Sequence, residues 1–275
     1  MSTLIAPPPV APNLADAALA DCLRLVAQQA ALLRAAPDGR RPVPMAEPRP
    51  RHALILAPHP DDECITGALP LRLRQEAGWR VTALAVTLGS APARQAARWA
   101  EMQAACAVLG FEPRCLADQA LAAVMSELHP DLVLLPHAQD DNPTHRRVHA
   151  AGIAALADAH IDTVLACTEF WSTQAAPNAL VQTSQADTAR LMAALMAHEG
   201  EIARNPYHLR LPAFLADSVR RGGELVGGAG SAPPDFAFAT LYRLIRVERG
   251  NLASDLPARI HPAAQALNAA RLALP

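Results

Sequence analysis

Residues 52–63 read His-Ala-Leu-Ile-Leu-Ala-Pro-His-Pro-Asp-Asp-Glu, an apolar run that stops abruptly in a corner of imidazole and carboxylate groups. A short apolar run bounded by turn residues predicts a strand buried on both faces, the kind that builds parallel sheets. Pro58 and Pro60 end the run, and Pro60 sets a bend. A second run of this type, DLVLLP at 131–136, leads into a polar loop and then a helix near 146–159. Further strands are predicted at 80–87, 114–116 and 162–170, with helical stretches to about Ala77 and at 94–109 and 119–128. Strand and helix alternate. The expected fold is therefore α/β and Rossmann-like, a mostly parallel sheet with helices on both faces.

The flanks read differently. Residues 1–13 are rich in Pro and Ala and are expected to be loose. Residues 14–35 carry apolar positions at helical spacing, and the prolines of 36–50 predict an extended connector. Residues 1–50 thus form an N-terminal helix and connector, 51–250 a single α/β domain, and 251–275 an Ala-rich C-terminal tail. Within the domain, the later part predicts helices at 187–204 and 212–221, a Gly-rich loop at 222–230 and a strand at 237–247. Gly222–Gly230 has no strand and helix around it to cradle phosphate and is expected to be a mobile loop.

Composition narrows the function. Apolar residues make up 51% and charged residues 18%, as in a folded globular chain. The net charge of −2, with no block of like charges, gives no reason to expect nucleic acid or an acidic membrane as partner. The N-terminus lacks the pattern of a signal peptide, and the longest apolar candidate, 14–35, is broken by Asp16, Asp21 and Arg24. A cytoplasmic protein without a transmembrane segment is expected. The oligomeric state stays open, a homo-oligomer included. Five scattered cysteines without a CxxC pair fit reduced thiols and exclude a thiolate zinc knuckle. All 24 basic residues are arginine. Schiff-base enzymes, pyridoxal-phosphate enzymes, P-loop nucleotidases and kinases need a lysine, so those classes are excluded. The first strand–helix turn offers only Gly67, without the GxGxxG of a dinucleotide site.

In an open parallel sheet, ligands bind beyond the carboxyl ends of the strands. His59 and Asp62, three apart at such an end, can face one point, and their donor types suit zinc or another borderline divalent metal. Asp61 lies between them, able to touch a metal-held water without binding the metal. Capping of a helix N-terminus would explain the acids but not the histidine. After the second run comes His137-Ala-Gln-Asp-Asp-Asn142-Pro-Thr-His145-Arg-Arg-Val-His149, where His145 and His149 lie one helical turn apart. This loop could also be an ordinary solvated one. Two such clusters arriving at one sheet edge point to a metal site.

The strand with PHPDDE at 54–63 and the loop and helix at 136–149 resemble the PIG-L or LmbE-like family of zinc-dependent de-N-acetylases, in outline over residues 52–170. The resemblance implies one zinc ion per chain held by His59, Asp62 and His145, with Asp61 as general base. It also implies an N-acetylated amino sugar or small glycoconjugate as substrate. The family's second motif is His-Pro-Asp-His; here it reads Asn142-Pro143-Thr144-His145. The family's assisting histidine is thus absent. The Asn142 amide can donate a hydrogen bond to an oxyanion but cannot exchange a proton near neutral pH. Asp61 or His149 is left to protonate the leaving amine, with His137 as a third choice. At the end of the fifth strand, Glu169 and Trp171 are candidate sugar contacts and Phe170 a packing residue. His198 and Glu199 read as solvated, and Asn205–His208 as a turn. Hydrolysis of another amide or an ester, or ligand binding without catalysis, are the competing readings.

Overall fold

A computed structural model describes residues 14–39, 42–45 and 47–274; the expectation for residues 1–13 lies outside them. Helix α1 (Leu14–Leu32) precedes β1 (His52–Ala57), α2 (Asp62–Ile65), α3 (Ala68–Ala77) and β2 (Arg80–Ala85). Next come α4 (Pro92–Leu109), β3 (Glu112–Cys115), α5 (Leu121–Leu128), β4 (Leu132–Pro136), α6 (Pro143–Ala159) and β5 (Thr163–Thr168). The chain continues through β6 (Ala179–Gln182), α7 (Gln185–Met196), α8 (Glu199–Arg204), a 3-10 turn at Tyr207–Leu209 and α9 (Leu211–Gly227). It ends in β7 (Ala239–Glu248), β8 (Asn251–Asp255) and β9 (Arg259–His261).

The sheet runs β3-β2-β1-β4-β5-β7-β6-β9, with β8 also paired to β7. From β3 to β5 every pairing is parallel, whereas β7 runs antiparallel to β5, β6 and β8. This is a mixed α/β fold with a mostly parallel sheet flanked by helices. All six residues of β1 are buried because both of its faces are covered. Ala53, Ile55 and Ala57 pack into the layer that holds α1, α3, α4 and α7. Leu54 and Leu56 pack into the layer formed by α5 and α6. The alternation of a strand's side chains divides one apolar run between two cores.

Several elements depart from the sequence reading. Helix α9 continues through Gly222 and Gly223 to Gly227, where a mobile loop was expected. A Cβ at Gly222 would lie 2.6 Å from Leu180 Cδ1, and one at Gly223 would lie 2.9 Å from the Pro233 backbone. Gly222 lets α9 approach β6 closely, and Gly223 lets the segment at Ala232–Pro233 cross against the helix. The predicted helix over 187–204 breaks at Ala197–His198, because His198 is drawn wholly into the interior. Residues 251–274, read as a tail, contribute β8 and β9 and bury Leu267, Ala269 and Leu272.

Arg72 explains how that last segment is held. It is fully buried, pairs with Glu76 at 2.8 Å, and donates to the carbonyls of Gln182, His261, Pro262 and Gln265. A buried guanidinium is tolerated only when its donors are matched in this way. Beside it, burial first, and then the charges of Arg72, Arg259 and Arg271, push the His261 imidazole down to about 4. The folded protein therefore holds His261 neutral, while the unfolded chain takes up a proton near 6.5. Stability is full above 6.5 and falls as the pH drops toward 4, by at most about 3 kcal/mol. The melting temperature of His261→Asn should show a shallower acid slope between those pH values than the parent. Parallel slopes would assign the acid sensitivity to other groups.

Candidate active site

After β1 the chain moves outward to β2 and β3, then returns to lay β4 on the opposite side of β1. At this switch the loops leaving β1 and β4 diverge and open a crevice at the carboxyl ends of the strands. His59, Asp61 and Asp62 follow β1; Asn142 and His145 stand at the start of α6 after β4.

The structure brings His59, Asp62 and His145 together, with one ligand atom of each within 4.8 Å of the others. Asp62 Oδ2 is 3.7 Å from His59 Nδ1 and 3.5 Å from His145 Nε2. It also accepts the backbone N–H of His59 at 2.9 Å, which ties the two ends of the turn together. On the far side of the ring, His145 Nδ1 lies 3.2 Å from the buried carboxylate of Asp140. A carboxylate there favours the tautomer with hydrogen on Nδ1, leaving the Nε2 lone pair free. Nε2 is buried and has no hydrogen-bond partner. Burial opposes charge on His145, yet the Asp140 hydrogen bond and the Asp62 charge outweigh it and raise its pKa. Burial likewise opposes charge on Asp62, but His145 and His59 hold its pKa below the usual range.

Asp61 occupies a strained position, with φ at +127° in a residue other than glycine. Such a conformation costs about 1–3 kcal/mol and persists only when neighbours enforce it. Its N–H donates to Glu63 Oε2 at 2.9 Å, and its Oδ2 accepts from the Tyr207 hydroxyl. Burial, and then the charge of Asp62, push its carboxyl well above the ordinary carboxylate range. His59, Asp61, Asp62, Arg98, Asn142 and Trp171 all line one cleft of about 280 Å³. Trp171 is 41% exposed and presents its ring to the opening.

Other predicted residues are placed differently. Glu169 is 1% exposed, paired with Arg221 and accepting the Gln174 N–H at 2.8 Å, so its carboxylate is committed to the interior and not to a sugar. His149 does not line the cleft: its Nδ1 sits 2.8 Å from the Pro136 carbonyl, and burial lowers its pKa. His137 Nε2 is 3.1 Å from the Ser172 carbonyl. Asn142 is the N-cap of α6, its Oδ1 accepting the Thr144 N–H at 2.9 Å, which leaves the Nδ2 hydrogens for the cleft. His198, read as solvated, is fully buried and bonds Glu63 at 2.7 Å. Phe170 packs edge-on to Trp171 and Phe214.

Glu63, Cys64 and His198 form a second grouping of metal-ligand types. Their facing atoms are bonded to one another, His198 Nε2 and Cys64 Sγ both meeting Glu63 Oε1, and burial pushes the thiol well above its usual pKa, while His198 Nδ1 is buried without a partner. Asp140, Glu63, His198 and Tyr207 are the site residues that sequence reasoning did not single out for these roles. For Asp140 the signal was present, as one more acid in the loop before His145.

Fold and site together define an α/β protein with a compact His/Asp/His cluster and an extra carboxylate at the sheet's switch point. Residues 54–156, which carry both motifs, match the family model described as GlcNAc-PI de-N-acetylase, PIG-L. No curated protein gives a significant match. Among solved structures, the chain is similar to the N,N'-diacetylchitobiose deacetylase of Pyrococcus horikoshii, at 16% identity and a TM-score of 0.55. That match covers 73% of this chain and 84% of the other. It is similar to the A40926 pseudoaglycone deacetylase at 20% identity and a TM-score of 0.53, over 72% of this chain and 98% of that one. The 4-carboxy-2-hydroxymuconate hydratase of Pseudomonas putida KT2440 shares the fold at 16% identity and a TM-score of 0.55, over 70% and 95%. Among the described residues, no helix is long and apolar enough to cross a membrane.

Proposed function

We propose that this chain is a metal-dependent N-deacetylase that removes acetyl from an N-acetylated amino sugar or small glycoconjugate. One observation carries the reading. His145 Nε2 is buried and unpartnered beside Asp62 and His59, while its other nitrogen is held by Asp140. An orphaned imidazole nitrogen facing a carboxylate and a second imidazole is the donor set that zinc favours, with three protein ligands leaving a position open. When bound there, the ion would polarise the amide carbonyl and make water a better nucleophile near neutral pH.

The proton work falls to the chain. Asp61 lines the same cleft as His59 and Asp62 and is the group to take the proton from the attacking water. With asparagine in place of the family's assisting histidine, and with His149 turned to the Pro136 carbonyl, Asp61 is also the group to return that proton to the leaving amine. Asn142 retains its Nδ2 hydrogens to stabilise negative charge growing on the carbonyl oxygen. The exposed ring of Trp171 offers the apolar face of a sugar a surface to stack on.

A hydratase shares this fold, so the fold alone does not select amide hydrolysis. Acetate release from a panel of N-acetylglucosamine derivatives and simple acetamides makes the selection. Faster release from the sugar derivatives is expected. Equal rates on both, or none on either, would overturn the substrate assignment.

A further inference from the structure

We propose that Tyr207 is a positioning residue for Asp61, holding its carboxylate in the orientation that receives the proton of the attacking water. The proposal rests on the reading of Asp61 as the base. Two separate arms reach Asp61 from the segment that follows α7. The first acts on the backbone: the buried His198–Glu63 pair presents Glu63 Oε2 to the Asp61 N–H, which pins the strained φ. The second acts on the side chain, where the Tyr207 hydroxyl donates to Oδ2. Arg98 stands 3.9 Å from that same oxygen. Oδ1 has no hydrogen-bond partner among the described residues and is the oxygen left for the cleft.

The terminal torsion of an aspartate is broad, so a pinned backbone does not by itself orient the carboxylate. A hydroxyl donor on one oxygen does. Burial and the neighbouring Asp61 charge both raise the Tyr207 pKa, so the phenol stays a donor at any working pH. Tyr207 is 3% exposed and lines none of the cleft, so it acts through Asp61 and not on substrate. Its ring is held independently, with centroids 5.5 Å from Trp171 and 6.3 Å from Phe170. Removing the hydroxyl alone therefore leaves both the aromatic packing and the Asp61 backbone in place.

Tyr207→Phe tests this. Its kcat should fall roughly 10- to 100-fold, the scale for a partner that orients a functional group, with KM, metal content and melting temperature unchanged. In the Asp61→Asn background, the same substitution should cost nothing further, because its effect passes through the carboxylate. Crystals of the metal-free variant should show the Asp61 carboxylate rotated, over an unchanged backbone. An unaltered kcat, a loss confined to KM, an additive loss in the double variant or a carboxylate that stays in place would each overturn the proposal. If the parent protein turns over no acetamide at all, the deacetylase reading fails, and the crystallographic comparison still decides whether Tyr207 orients Asp61.

Discussion

The protein is expected to bind about one divalent metal ion per chain, and His59→Ala, Asp62→Ala and His145→Ala are each expected to abolish that binding. Each substitution would remove one of the three proposed donors, and the three are mutually dependent. Asp62 ties the His59 backbone while sitting 3.5 Å from His145 Nε2, so losing it loosens both neighbours. Substituting a residue that merely orients a ligand lowers metal affinity about 10- to 100-fold, and removing a ligand outright should cost more. The catalytic consequence is larger, because polarisation of the carbonyl and activation of water are together worth several kcal/mol, on the order of a thousandfold in rate or more. Metal analysis of the purified variants checks the first part and acetate release the second. Full metal content in all three variants would mean that the site lies elsewhere. Asp140→Asn provides an internal calibration: it should weaken metal binding without abolishing it, since one amide oxygen cannot replace both carboxylate oxygens, of which one accepts the Asn142 N–H and the other faces His145 Nδ1.

The parts of this molecule that could be read from the sequence are those whose cause is local. β1 and β4 are apolar runs covered on both faces; His59 and Asp62 follow β1 within five residues, and His145 stands at the start of the helix that follows β4. Features set by distant partners did not show. Gly222 and Gly223 read as loop residues because nothing near them reveals the approach of Leu180 or Pro233. Glu169 stood where a sugar contact belongs, and Arg221, 52 residues further on, turns it into a buried ion pair. Four-residue β6 has no periodicity to detect, and its place comes from β7 and β9 on either side. Likewise, His198 lies 135 residues from Glu63, and Tyr207 lies 146 from Asp61. An isolated histidine at a helix end and a tyrosine in a turn carry no sign of such partners. The proposed ligands sit at two strand-to-helix junctions that the sheet brings together, whereas His198 and Tyr207 reach the surroundings of Asp61 from more than 130 residues further along the chain.

Asp61→Asn should separate catalysis from binding. Asparagine matches aspartate in shape, and the backbone that carries it is held by Glu63, so the turn and the three ligand residues should keep their places. The Tyr207 hydroxyl can still donate to the amide oxygen. What disappears is the ability to accept a proton, and with it the ability to return one. Where another acid stands nearby, loss of a general base costs about a hundredfold to ten-thousandfold. Here the cost should lie toward the upper end, because Asn142 cannot exchange a proton and His149 is turned away from the cleft. The variant should therefore retain its metal and its melting temperature while acetate release nearly ceases. Loss of metal would instead make Asp61 a fourth ligand. Substantial residual turnover would show that a second proton carrier reaches the cleft, with His149 the first to substitute, because it lies one helical turn beyond His145 on α6.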